Sequence, residues 1–250
     1  MSHNYSFNNR KEKTREELIE ELEKRYGYYE TLWGKWTFLR KKYAWIFVVA
    51  TTKYIKRGLD IVVSFFLLIF LSPVFLVISV LIWIFEGRPI LYISKRVGRN
   101  GRLFNFPKFR TMHHQAEEKK RELSKKSIHR DQKTFKIRRD PRTTRLGYLL
   151  RRSSLDELPQ LWSVFKGDMS LVGPRPALPE EVAHYRVKER TRLDITPGIT
   201  CFWQVSGRSD LPFDQQISLD MKYIQSQNFL LDCKILLKTI PAVFFGKGAY

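Results

Sequence analysis

Two adjacent carboxylates, Asp156 and Glu157, sit inside the stretch RRSSLDELPQLWSVF that begins at Arg151. Serines followed by acids and then by an apolar run read as a helix start, with Ser153 or Ser154 as the cap. Neighbouring helical side chains point about 100° apart, so the two acids suit different tasks. One can face a reacting centre while the other supports a metal or a proton. Two acids in a first turn also complement the helix dipole without any chemistry, and alone they would be read that way. Their company shifts the balance. Lys108, Arg110, Arg151, Arg175 and Arg208 all stand in Gly/Pro-punctuated segments rather than on an amphipathic face. Gly173-Pro174-Arg175-Pro176 holds one arginine in a rigid turn because each proline fixes its φ. Planar guanidinium forks match phosphate oxygens. A carboxylate among such cations can attack phosphorus to give an acyl phosphate, with Mg²⁺ neutralising a diphosphate.

These residues need a platform, and the chain supplies an apolar one. From Ile61 to Phe85 there is no charged residue. About 20 helical residues cross a bilayer core, so the run is long enough to enter one. Ser72-Pro73 lies at its midpoint. Proline removes a backbone hydrogen bond and bends the helix, and the serine hydroxyl can satisfy the carbonyl set free. Lys53, Lys56 and Arg57 precede the run, and Arg88, Lys95, Arg96, Arg99 and Arg102 follow it. Positive residues mark the cytoplasmic side. Positive charge at both ends therefore predicts a kinked hairpin that enters and leaves by one leaflet, rather than a span.

Upstream, Thr14 to Tyr29 reads as a short amphipathic helix with Thr14 and Glu17 as a capping box. Leu32 to Tyr54 interleaves Trp33, Trp36, Phe38, Trp45 and Phe47 with cations and has no acid. That pattern suits a helix lying in an anionic lipid interface; RNA stacking would use the same composition. Downstream, Arg99-Asn100-Gly101 predicts a β-hairpin turn, residues 113–137 a solvated charged segment, and the rest a globular body of helices joined by Gly/Pro-rich loops. Asp168, Asp220 and Asp232 are expected to be structural, Cys201 and Cys233 packed thiols, and Trp203 and Gln204 either core or base-contacting. The 250 residues carry a formal charge of +20, which calls for an acidic partner. Two cysteines exclude a disulfide scaffold. The function classes in play are an enzyme of phosphoryl chemistry on a lipid carrier, a lipid diphosphate phosphatase using the same dyad, and a basic membrane-surface adaptor or RNA-binding module.

The chain resembles the bacterial sugar transferases, monotopic phosphoglycosyl transferases that begin glycoconjugate assembly. The resemblance rests on Lys56-Arg57 through Asp60, Ser72-Pro73, RVGRNG from Arg96, KFRTM from Lys108, DPRTTRLGYLLRRSSLDELPQLW from Asp140, GDMSLVGPRP from Gly167, PGIT from Pro197, WQVSGR from Trp203 and the terminal GKGAY. Pro107, Ser163 and Cys201 depart from the usual Tyr, Asn and Gly. The resemblance implies an α+β, predominantly helical monotopic membrane protein with a kinked re-entrant helix, interfacial amphipathic helices and a small β-hairpin. Its parts would be an interfacial extension (1–52), the re-entrant helix (53–88) and a cytoplasmic catalytic domain (89–250). The first 52 residues are too short and charged for the four extra spans of larger relatives, which marks a compact form. The implied reaction moves hexose 1-phosphate from a UDP-sugar to undecaprenyl (polyprenyl) phosphate and releases UMP, in exopolysaccharide, capsule or O-antigen assembly. Asp156 would be nucleophile and Mg²⁺ ligand and Glu157 its partner acid, with Lys108, Arg110, Arg151, Arg175 and Arg208 around the phosphates. The motifs look closer to glucose or galactose phosphotransferases than to diacetamidosugar ones. Expected partners are the two substrates, an anionic membrane surface on the cytoplasmic face of the bacterial inner membrane, and a second copy in a homodimer; nucleic acid is not expected.

Overall fold

A computed structural model describes residues 32–113, 116, 140–207 and 211–245. The expected helix at 14–29, nearly all of the charged segment at 113–137, Arg208 and the terminal GKGAY lie outside the described residues. The chain forms two compact units, Met1–Lys53 and Tyr54–Tyr250. Helix α1 is Leu32–Phe70. In its part of the first unit Trp33, Trp36, Phe38 and Tyr43 are exposed, as are Lys35, Arg40, Lys41 and Lys42. The Arg40 guanidinium lies 5.3 Å from the Trp36 ring centre. The exposed aromatics and cations of residues 33–43 thus share one helix.

In the second unit α1 gives way at Leu71 to α2, Ser72–Glu86. The two are bent by 57°. Pro73 has no N–H for the Ile69 carbonyl, and the Ser72 hydroxyl donates to it at 2.7 Å. This is the substitution expected of a Ser-Pro pair in an apolar helix. No single described helix is long and apolar enough to cross a bilayer; Lys53–Phe70 and Ser72–Glu86 reach that length and hydropathy only as a bent pair. Phe66, Phe70, Leu76, Trp83, Ile84 and Phe85 are exposed on it.

Both ends of this bent helix pair are fastened to the same body. At the first end Lys56 donates to the Val172 carbonyl and pairs with Asp232 at 2.5 Å. Arg57 donates to the carbonyls of Val164 and Phe165, and the buried Asp60 accepts from the Leu171 N–H. At the other end the Glu86 carboxylate accepts from the Thr144 hydroxyl, and Arg110 donates to the Glu86 and Gly87 carbonyls.

Strands β1 (Leu91–Val97) and β2 (Leu103–Phe109) pair antiparallel, with Tyr92 opposite Lys108, Ser94 opposite Phe106 and Arg96 opposite Phe104. The expected turn closes them: Asn100 and Gly101 take φ of 55° and 76°, the left-handed values that favour these two residues. Helix α3 (Arg145–Arg152) is capped by Thr144, whose hydroxyl accepts from Gly147. Gly147 lies so close to Thr111 that a Cβ there would stand 2.1 Å from its carbonyl oxygen. A single 3₁₀ turn, Leu155–Glu157, follows, and then α4, Gln160–Lys166.

Strand β3 (Ser170–Val172) leads into short α5 (Pro179–Ala183) and α6 (Val187–Arg190) and a 3₁₀ turn, Thr191–Asp194. Strand β4 (Gly198–Thr200) pairs parallel with β3, and α7 (Phe213–Ser226) and α8 (Phe229–Phe245) complete the body. The parallel pair was not expected; three-residue strands are too short to show a period of two in sequence.

One core gathers Phe104, Phe106, Leu161, Val164, Met169, Val172, Tyr223 and Ile235. A second joins Ile78 and Ile82 of α2 to Phe109 and Leu150, with Leu155 and Leu158 against it. The two leucines flanking Asp156-Glu157 are therefore driven inward by apolar burial, which fixes the acids between them. The described residues are mostly helical with small sheets, as expected of the α+β class.

Candidate active site

The acids occupy the 3₁₀ turn rather than the start of an α-helix, and Pro159 opens α4 in their place. Neither serine caps them. Ser153 bonds back to the Leu149 and Leu150 carbonyls, and Ser154 takes a left-handed φ of 56° without a side-chain cap bond. A proline suits the first positions of a helix, and once it takes that role the serines only shape the turn.

The two carboxylates have unequal partners. Glu157 accepts from Lys108 at 2.7 Å and from Arg175 at 3.0 Å. Burial works to raise its pKa, but Arg175 and then Lys108 outweigh it and hold the carboxyl well below the usual range. Asp156 is buried, and no hydrogen bond or ion pair holds it among the described residues. Burial pushes its carboxyl up, Glu157 adds to that, and Lys108, Arg151 and Arg175 oppose it.

Three expected cations converge here. Lys108 comes from the inward face of β2, and burial lowers its ammonium against the pull of Glu157. Arg151 sits on the last turn of α3, held by Thr111 at 3.0 Å and Thr143 at 3.3 Å. Arg175 stands on the Gly-Pro-Arg-Pro turn. That turn is pinned by the Gly173 N–H to the Thr200 carbonyl at 3.0 Å and by the Gly198 N–H to the Pro174 carbonyl at 2.9 Å. A Cβ on Gly198 would stand 2.1 Å from the Gly173 nitrogen; the two glycines permit this approach.

Arg110 is not brought to the acids. β2 ends at Phe109, so strand alternation no longer governs Arg110, and it turns to the carbonyls at the end of α2. Arg208 lies outside the described residues. Of the remaining expectations, Asp232 holds Lys56 and Tyr223, and Asp168 pairs with Lys166 at 3.3 Å. Asp220 pairs with Arg192 at 2.7 Å. Trp203 is buried, and its indole is among the groups that hold the Asp220 carboxyl down. Both cysteines are free thiols, with Cys201 buried.

Residues 51–246 match the bacterial sugar transferase family. The chain belongs to that family. This sugar transferase is 39% identical over 198 residues to exopolysaccharide production protein ExoY of Sinorhizobium fredii, covering 78% of the chain and 88% of that relative. It is 41% identical over 206 residues to undecaprenyl-phosphate galactose phosphotransferase of Salmonella typhimurium, covering 80% of the chain and 42% of the relative. It is 36% identical over 208 residues to undecaprenyl-phosphate glucose phosphotransferase of Komagataeibacter xylinus, covering 78% and 37%. The chain thus spans most of the first relative and less than half the length of the other two. The sugar transferase is an enzyme by this membership.

Among the described residues no group of three or more His, Cys, Asp or Glu side chains could hold a metal. A cage made wholly by this protein region is thus not present there. Mg²⁺ is commonly bound through one or two carboxylates completed by substrate phosphates, and Asp156, unengaged beside an occupied Glu157, fits that donor set.

Proposed function

We propose that the sugar transferase moves hexose 1-phosphate from a UDP-sugar to polyprenyl phosphate at a membrane surface, through a phosphosugar carried on Asp156. The observation behind this reading is the unequal use of the acids: Glu157 is locked between Lys108 and Arg175, while Asp156 is left without a partner beside three cations. An Asp 156 oxygen attacks the sugar-linked phosphorus, the bond to the bridging oxygen breaks, and UMP leaves with that electron pair. An oxygen of the lipid phosphate then attacks the same phosphorus and frees the carboxylate. Lys108, Arg151 and Arg175 offset the repulsion between carboxylate and diphosphate. When bound, Mg²⁺ would supply further charge neutralisation at the diphosphate, with Asp156 as its protein ligand. Glu157, held far below the ordinary carboxylate range, fits the fixing of Lys108 and Arg175 better than the acceptance of a proton.

The names of the Salmonella and Komagataeibacter relatives share undecaprenyl phosphate and differ in galactose against glucose, which supports the acceptor class and leaves the hexose to a panel of UDP-sugars. Anchorage of both ends of the apolar hairpin on one body, with cations on both flanks, supports re-entry from the cytoplasmic face of the bacterial inner membrane over a span. The test uses the full chain in detergent with labelled UDP-hexoses and Mg²⁺ but no acceptor. UMP release of at most one equivalent and a phosphohexose on the Asp156 peptide are expected, and neither from Asp156→Asn. No adduct, with UMP appearing only when both substrates are present, would replace this scheme by direct transfer.

A further inference from the structure

Arg96, which the sequence shows as a flank of the apolar run and as the first residue of RVGRNG, stands close to the cations that hold Glu157. Across the hairpin it shares a face with Lys108, since Arg96 pairs with Phe104 and Tyr92 with Lys108. The Arg96 guanidinium and the Lys108 ammonium each lie 5.2 Å from the centre of the buried Phe106 ring. Its Nη1 donates to the Pro176 carbonyl at 3.3 Å, next to Arg175. Its Nε is buried with no hydrogen-bond partner, and it makes no ion pair among the described residues. Glu157 is already held by Lys108 and Arg175, and Glu181 accepts from the Leu178 N–H. A largely buried guanidinium without a carboxylate is costly. Burial lowers it to about 10, and Arg175 adds to that. An anionic ligand would remove the cost.

The position of Arg96 distinguishes between the two phosphates of a donor. Lys108, which holds Glu157, lies near the end of β2, where Phe109 packs with Leu155 beside Asp156. Arg96 faces Phe104, four residues back along that strand, and reaches the Pro176 carbonyl next to Arg175. Arg96 therefore stands further along the hairpin from the nucleophile than Lys108 does. We infer that Arg96 binds the nucleotide-side phosphate of the UDP-sugar, the group that leaves as UMP, an inference resting on the function proposed above. That phosphate gains negative charge as the bridging bond breaks, so a fixed guanidinium there favours departure as well as binding.

The experiment measures affinity of the full chain in detergent for UMP and for uridine, which differ only by this phosphate. The wild type is expected to prefer UMP. Arg96→Gln should weaken UMP about tenfold, equal to about 1.4 kcal/mol, and leave uridine unchanged. Arg96→Lys, which keeps the charge and the ring contact but loses the fork, should weaken UMP several-fold and carries the test alone if the glutamine variant does not fold. Arg99→Gln, altering an exposed side chain that donates to the Asp194 carbonyl, should change neither affinity. Wild-type UMP affinity in the folded Arg96 variants overturns this inference while UMP release from a UDP-sugar upholds the function. A wild type that releases no UMP from any UDP-sugar, and binds UMP no better than uridine, overturns both.

Discussion

At the scale of single residues, Glu157 acts through the two cations it holds. Its removal leaves Lys108 and Arg175 without their common anion, and removal of Lys108 leaves Glu157 half-paired. Groups in one ion-pair network are not additive; coupling energies of about 0.5–3 kcal/mol are usual. Glu157→Gln and Lys108→Met should each lower UMP release about tenfold or more, and the double variant should be little worse than the poorer single one. Rates that multiply strictly would dismiss the pairing role. A cluster of carboxylates and rigid cations was legible from residue types alone, and Lys108 and Arg175 do meet on Glu157. The bonds of Arg110 to the Glu86 and Gly87 carbonyls were not legible, because nothing local shows that β2 ends one residue before it. The place of Arg96 on the hairpin face of Lys108 was legible in principle. Hairpin alternation, with Asn100-Gly101 fixing the register, could have placed it beside Lys108, but its position after the apolar run gave it a sufficient meaning as a topology charge.

At the scale of elements, the bend between α1 and α2 has two physical sources. Pro73 deprives Ile69 of its backbone partner, and the anchors at Lys56, Arg57 and Asp60 and at Glu86 hold both arms to one body. Pro73→Ala restores the N–H that the Ile69 carbonyl lacks and removes the ring that suits the first turn of α2. Spin labels on Val63→Cys and Val80→Cys, both at exposed positions, in a background with Cys201→Ala and Cys233→Ser, read the distance between the arms. Pro73→Ala should lengthen it as the helix straightens. An unchanged distance would mean that the anchors alone impose the bend. The break and the serine that repairs it were legible because proline acts locally. The anchors were not, since Lys56, Asp232 and the Val172 carbonyl meet only in the folded body. The parallel pair of β3 and β4 depends in the same way on a contact between Gly173 and Gly198 that no sequence period announces.

At the scale of the whole molecule, burial sets which charged groups bear on stability. Arg192 joins three parts of the body. Its guanidinium pairs with Asp220 of α7 at 2.7 Å, donates to the Tyr185 hydroxyl at 2.8 Å, and reaches the Arg175 carbonyl behind the site at 3.3 Å. Composition and patterning expected Asp220 to be structural but could not say what it costs. Burial pushes its carboxyl up to about 6, while Arg192 and the Trp203 indole pull the other way. The folded protein therefore holds this proton more tightly than the unfolded chain, where the ordinary value is 3.8. The resulting stability is fully present below about pH 3.8, declines as pH rises through about 6, and changes little above that; a shift of this size corresponds to about 3 kcal/mol. Asp220→Asn keeps the shape and removes the titration. Its unfolding free energy should be compared with that of the wild type in the same detergent from pH 4 to pH 8. The wild type should lose stability relative to the variant between about pH 4 and pH 6.5, and the difference should then level off. A difference that instead grows in favour of the wild type across that window would show that Arg192 outweighs burial and keeps Asp220 ionised throughout.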